Sequence, residues 1–201
     1  MTGFGVHSEI GKLRKVITCQ PGLAHSRLTP ANADALLYDD VLWVQEARTD
    51  HADFRMKVSA RGVEVYEFHD LLGAVLAIPE ARAWVLDRRI SEDQVGLGML
   101  SELRAWLDEM SPSQLAIHLI GGIAVHELPF KAHDMFGSYL GPDGFVIPPL
   151  PNTQFPRDNS CWIGNGLTLN PMFWPARRPE TLLVAAVYKF HPLFASEDYQ
   201  I

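Results

Sequence analysis

Positive charge is scarce in this chain: 17 Lys and Arg stand against 24 Asp and Glu, a formal net charge of −7. A broad phosphate-binding surface concentrates Lys and Arg, so the balance argues against a nucleic-acid partner. Cysteine is scarcer still. Cys19 and Cys161 are the only two, which makes no disulfide framework in a chain of 201 residues. Long apolar runs are missing as well. The longest, "LLGAVLAIP", falls far short of the roughly 20 residues that cross a bilayer, so no membrane partner is expected. The opening "MTGFGVHSEIGKLRK" has no apolar run leading to a small-residue cleavage site and does not read as a signal peptide. The cytoplasm is the expected location.

Metal and phosphate signatures are absent too. No Cys-x-x-Cys or His-x-x-x-His occurs, and His126 and His133 are too far apart for one helical face. "LIGGI" lacks the spacing and the following Lys of a phosphate loop. Neither a metal nor a cofactor is expected.

What is present is an ordinary globular composition, 47% hydrophobic and 20% charged, enough for one core or one domain with an insertion. "KLRKVITCQPG" predicts a strand stopped by Pro21-Gly22, followed by a long polar loop or single-turn helix, "LAHSRLTPANADALLYDD". Val44, Ala47, Phe54 and Val58 recur near the helical period, with Gly62 placed to end that helix. "VEVYEF" then alternates as a half-exposed strand does.

Residues 70–120 read as short amphipathic helices. Ser91 and Gln94 have capping-box spacing ahead of Leu97, Leu100, Leu103 and Leu107; Ser111, Pro112 and Gln114 repeat the device, with Gly121 closing. Strands return at "FVIPPL", "NSCWIGNG" and "LTLNPM", with Gly164-Asn165-Gly166 as a hairpin turn. "RPETLLVAAVYKFHPLF" predicts a helix between Pro179 and Pro192, and "EDYQI" reads as the approach to one more strand. Units of short strands with one helix need neighbours to bury their sheet faces, and the second unit stops where its last strand is expected.

Asp158 and Arg157 follow a proline-rich loop at the expected start of a strand. Two readings stay open on composition: Asp158 caps a turn or meets Arg157 at the surface, or it faces a cationic ligand and accepts two parallel N–H bonds from a guanidinium. In an extended "DNSCW", Cys161 would point away from Asp158, and a nearby carboxylate would raise its thiol pKa. Cys19 lies in an apolar strand, so both cysteines read as packed rather than catalytic. Asp39 and Asp40 read as a solvated loop or a ligand-facing pair. Arg177 and Arg178 precede a helix, where the dipole disfavours cations, a hint that they meet a carboxylate.

"GVHSEIGKLRKVITCQPG", "LTPANADALLYDDVLWV", "QVGLGMLSELRAWL" and above all "PLPNTQFPRDNSCWIGNGLTLNPMFWPARRPETLL" resemble arginine deiminases, from about Gly5 onward. The resemblance implies an α+β fold: a partial pentein-type α/β propeller in residues 1–72 and 141–201, with a small helical insertion over 73–140. It implies hydrolysis of L-arginine to L-citrulline and ammonia through a cysteine thiouronium adduct, with no metal or cofactor. By motif, Asp158 matches a guanidinium-binding aspartate. Asn152 and Phe155 match substrate-lining residues, Arg177 a carboxylate-binding arginine, and Leu37 a loop residue that closes over the substrate. Pro156 stands where the family motif usually has Thr. The family's nucleophilic Cys, its His and its Glu are expected beyond Ile201, and neither cysteine of this chain matches the nucleophile. The alternatives are a non-catalytic remnant that binds arginine or pairs with full-length subunits, or another guanidine-modifying enzyme, against which the "LTP…LLYDD" loop argues. A homo-oligomer is a possible assembly.

Overall fold

The computed structural model describes residues 4–131 and 139–195; the expected strand at "EDYQI" and His133 lie outside them. Strand β1 (Lys15–Thr18) pairs in parallel with β2 (Glu64–Glu67), Thr18 opposite Glu67. Parallel neighbours require a crossover, and here it contains α1 (Leu23–Ser26), a 3₁₀ turn at Asp34–Leu36 and α2 (Val44–Ser59). Gly62 takes φ +78° just beyond α2, a conformation that favours glycine. The helix forms where the period predicts it, yet none of its residues is buried and Phe54 is half exposed. Periodicity reported the element; it did not report how much of the face is covered.

Four helices follow: α3 (Phe68–Leu76), α4 (Pro79–Arg89), then α5 (Glu92–Val95) and α6 (Leu97–Glu109) in place of one longer helix. Gly96, at φ +76°, breaks the run, and Ser91 makes no side-chain cap, which corrects the expected box. With the helix restarted at Leu97, that side chain is exposed while Leu103 and Leu107 are buried. At α7 (Pro112–Gly121) the second box forms as expected: Ser111 Oγ accepts from Gln114 N at 3.3 Å and Gln114 Oε1 accepts from Ser111 N at 3.4 Å.

Strand β3 (Ile123–Ala124) pairs antiparallel with β4 (Phe145–Ile147). A second antiparallel pair, β5 (Ser160–Ile163) and β6 (Gly166–Leu169), is the expected hairpin, with Gly164 at φ +58° in its two-residue loop. The hairpin tip is clasped by the N-terminal segment: Val6 N donates to Gly164 O at 2.8 Å and Gly164 N to Val6 O at 2.7 Å. Phe4 stacks on Trp162 and touches Phe194. Helix α9 (Arg178–Phe190) has Pro179 in its first turn and ends before Pro192, with α10 (Pro192–Ala195) after it.

The fold is α+β, with helices predominating and the described strands in three two-stranded sheets. One apolar cluster joins Leu72, Val75 and Leu76 of α3, Leu86 of α4, Leu103 of α6, Leu119 of α7 and Leu183 and Val187 of α9. Each fully buried Leu or Val contributes about 1.5–3 kcal/mol. This core backs the loop that carries Asp158. Among the described residues no helix is long and apolar enough to cross a membrane.

Candidate functional site

The proline-rich loop folds as two short turns, 3₁₀ at Pro151–Gln154 and α8 (Pro156–Asn159), before β5 begins at Ser160. Asp158 therefore sits in a helical turn and not at the start of a strand. Proline sets the geometry: Pro156 occupies the first position of the turn, where its missing N–H costs nothing. The alternation counted from Asp158 therefore starts two residues too early, since the strand begins at Ser160. Cys161 Sγ lies 3.8 Å from Trp162 O, and no histidine or carboxylate hydrogen-bonds to it among the described residues.

The five residues carried over by motif come together. Asp158 Oδ2 accepts from Arg177 Nη1 at 2.8 Å, while its Oδ1 has no partner among the described residues and the side chain is half exposed. Arg177 Nη2 donates to Asn152 O at 3.3 Å. Asn152 is buried and its Nδ2 donates to Leu36 O at 2.7 Å, pinning the turn before Leu37. Leu37 is held at φ +60°, ψ +43°, the one non-glycine residue with positive φ among those described. Phe155 is half exposed beside Asn152, whose carbonyl accepts its N–H at 2.9 Å.

Sequence reasoning missed Glu180. It lies in the first turn of α9, fully buried, and takes Arg177 Nη2 at 2.9 Å and Arg177 Nε at 3.2 Å. Its carboxylate removes the electrostatic penalty that an arginine at a helix N-terminus would carry, the local reason Arg177 is tolerated there. The signal was its i, i+3 spacing from Arg177. Burial pushes the Glu180 carboxyl up, and Arg177 restrains the rise. Burial also works against Arg177's charge, but Glu180 and Asp158 outweigh it and hold its pKa above the ordinary value. Arg178 is exposed; Asp39 and Asp40 are exposed, with Asp40 Oδ1 accepting from Val41 N. Arg157 makes an exposed ion pair with Glu9.

A second buried network braces the same loops. His25 Nδ1 accepts from Gly22 N at 3.1 Å, so its proton sits on Nε2, 3.0 Å from both Gln154 Oε1 and Tyr38 Oη. Burial drives the His25 pKa from 6.5 to about 4, the Gln154 contact opposing. The unfolded chain binds this proton first, so the stability contributed by neutral His25 is present above pH 6.5 and fades as pH falls towards 4. About 2 kcal/mol of it should be lost between pH 7 and pH 5. Urea titrations of wild type and His25→Gln at both pH values check this, since the variant should show a clearly smaller loss.

Cys19 is buried at the end of β1, and burial first, then Glu67, raises its thiol well above the ordinary range. A protonated thiol is a poor nucleophile, in line with its expected packing role. A surface hollow of about 690 Å³ is lined by Val44, Gln45, Arg48, Thr49 and Ala52 of α2 and by none of the clustered residues.

The α+β fold thus gathers two carboxylates, Asp158 and Glu180, around Arg177 beside the loop pinned by Asn152. A family profile described as arginine deiminase matches residues 34–201. The chain belongs to the arginine deiminase family. At family level this assigns an arginine deiminase-like function, that of a hydrolase acting on a guanidino group with arginine as substrate.

Proposed function

We propose that the chain carries the substrate-holding residues of an arginine deiminase of pentein-propeller architecture, forming citrulline and ammonia in the cytoplasm. In this reading residues 73–140 are the helical insertion and the flanking segments are propeller units. Asp158 grips the substrate guanidinium, and Arg177 offers the substrate carboxylate the Nη1–H it does not spend on Asp158. Asn152 and Phe155 line the substrate, and Leu37 closes over it.

The observation that carries this reading is the state of Asp158. One carboxylate oxygen already accepts a guanidinium N–H at 2.8 Å, and the other is open towards solvent. A charge-assisted hydrogen bond contributes about 1.5–3 kcal/mol, so Asp158→Asn should weaken L-arginine binding about 10- to 100-fold. Isothermal titration calorimetry reads this directly. L-Citrulline, which has no guanidinium charge, should bind both forms equally. Unchanged arginine affinity in the variant would remove Asp158 from the site.

A further inference from the structure

Fifty residues apart in sequence, Cys19 and His69 meet where the parallel pair ends: Cys19 Sγ lies 3.9 Å from His69 Nδ1. Glu67 Oε1 lies 3.4 Å from the same nitrogen. One donor atom from each of the three falls within 4.8 Å of the others. The convergence differs from a relay of nucleophile, base and orienting acid, which uses opposite nitrogens of the imidazole. A single Nδ1 proton satisfies either the sulfur or the carboxylate, whereas a cation between them satisfies all three. A separate observation points to the same spot. His51 Nε2, on α2, is buried without a hydrogen bond and stands 3.5 Å from Glu67 Oε2.

We propose that Cys19, Glu67 and His69 form a site for a zinc-like divalent cation, with His51 or water completing a four-coordinate shell. The mixed sulfur, nitrogen and oxygen donors suit a borderline-soft metal and not calcium or magnesium, which take oxygen ligands. Charge balances: thiolate and carboxylate together neutralise a dication in a buried setting. On binding, the Cys19 S–H bond breaks, a sulfur–metal bond forms and the proton leaves to solvent, with no change of oxidation state. Glu67 keeps the hydrogen bonds it accepts from Gln20 N and Thr18 Oγ1, since a carboxylate has lone pairs for both and for a metal. Arg55 Nη1 stands 3.8 Å from Glu67 Oε2 on a side chain that is one-third exposed. The cation would clip β1 to the β2–α3 junction, and it shares no residue with the cluster around Asp158.

The test is titration of the metal-free 201-residue chain with Co²⁺ alone, reading the thiolate-to-cobalt charge-transfer band in the near ultraviolet. The expected result is a saturating band, bleached by added Zn²⁺, which binds such sites more tightly than Co²⁺. Cys161→Ser should keep the band and Cys19→Ser should lose it. His69→Gln, which retains the sulfur, should bind at least about tenfold more weakly. Circular dichroism of each variant separates loss of a ligand from loss of fold. A folded wild-type chain that gives no band, or a band that survives Cys19→Ser, overturns the proposal. Arginine binding is unaffected in either case, so failure here is distinct from failure at Asp158.

Discussion

Arg177→Met is expected to destabilise the chain by about 3–5 kcal/mol, the cost of leaving a buried carboxylate without its partner. Glu180 is fully buried and Arg177 nearly so, and three of the arginine's hydrogen bonds run to that one carboxylate. Asp158 adds little to this figure, because its side chain is half exposed and solvent screens the pair. The double variant Arg177→Met/Glu180→Gln removes the orphaned charge and should recover most of the loss. Urea unfolding followed by far-ultraviolet circular dichroism measures all three. A loss below about 1 kcal/mol in the single variant would place the pair in the class of surface salt bridges and sink the argument. Lysine at the same position is no substitute: a point charge cannot span Glu180, Asp158 and the Asn152 carbonyl at once.

The second large effect is at Gly122, which closes α7 at φ +83°, ψ +176°, a region open essentially to glycine alone. A Cβ there would stand 2.6 Å from Ile147 O and 2.7 Å from Pro149 N, both backbone atoms that cannot move aside singly. Strain and overlap add, so Gly122→Ala should cost about 3 kcal/mol or more. Gly62 supplies the control. Its φ is similar, +78°, but a Cβ would meet nothing within 4 Å. Gly62→Ala should therefore cost only the conformational strain, about 1–2 kcal/mol. Thermal melts of the two alanine variants should separate clearly; equal shifts would mean that the contact with β4 is not tight.

Of these two glycines the sequence made only Gly62 legible: α7 was expected to close at Gly121, but Gly121 is its last helical residue and the cap is Gly122. Signals confined to a few neighbouring residues came through: the Ser111–Gln114 box, the Gly164 turn, Pro179 in the first turn of α9 and Pro192 beyond its end. Where two local signals compete, the weaker was read. Ser91 and Gln94 have the spacing of a box, yet Gly96 two residues on divides the helix. At Asp158, a strand-like "NSCW" masked the helical turn that Pro156 starts. The five residues around the site were legible only through likeness of motif, because nothing in the spacing of Leu37, Asn152 and Arg177 announces that their backbones meet. Glu180 was within reach, three residues from Arg177. The Cys19–Glu67–His69 cluster was not. Its spacing looks like nothing along the chain and becomes a ligand set only once Thr18 is seen opposite Glu67 across a parallel pair. The α2 helix marks a further limit, since the period shows which residues share a face and not what covers it.

The clasp between Val6 and Gly164 bears on the order of synthesis. A ribosome adds about 5–20 residues per second, so the hairpin tip reaches the tunnel exit roughly 8–30 s after the segment it will hold. Once Glu67 has emerged, β1 and β2 are complete for the rest of that interval, while Phe4 and Val6 wait for Trp162 and Gly164. The amino terminus is thus the first part of the chain to be made and among the last to be seated. A pulse of protease during translation should cut ahead of β1 until the hairpin emerges, and be refused afterwards.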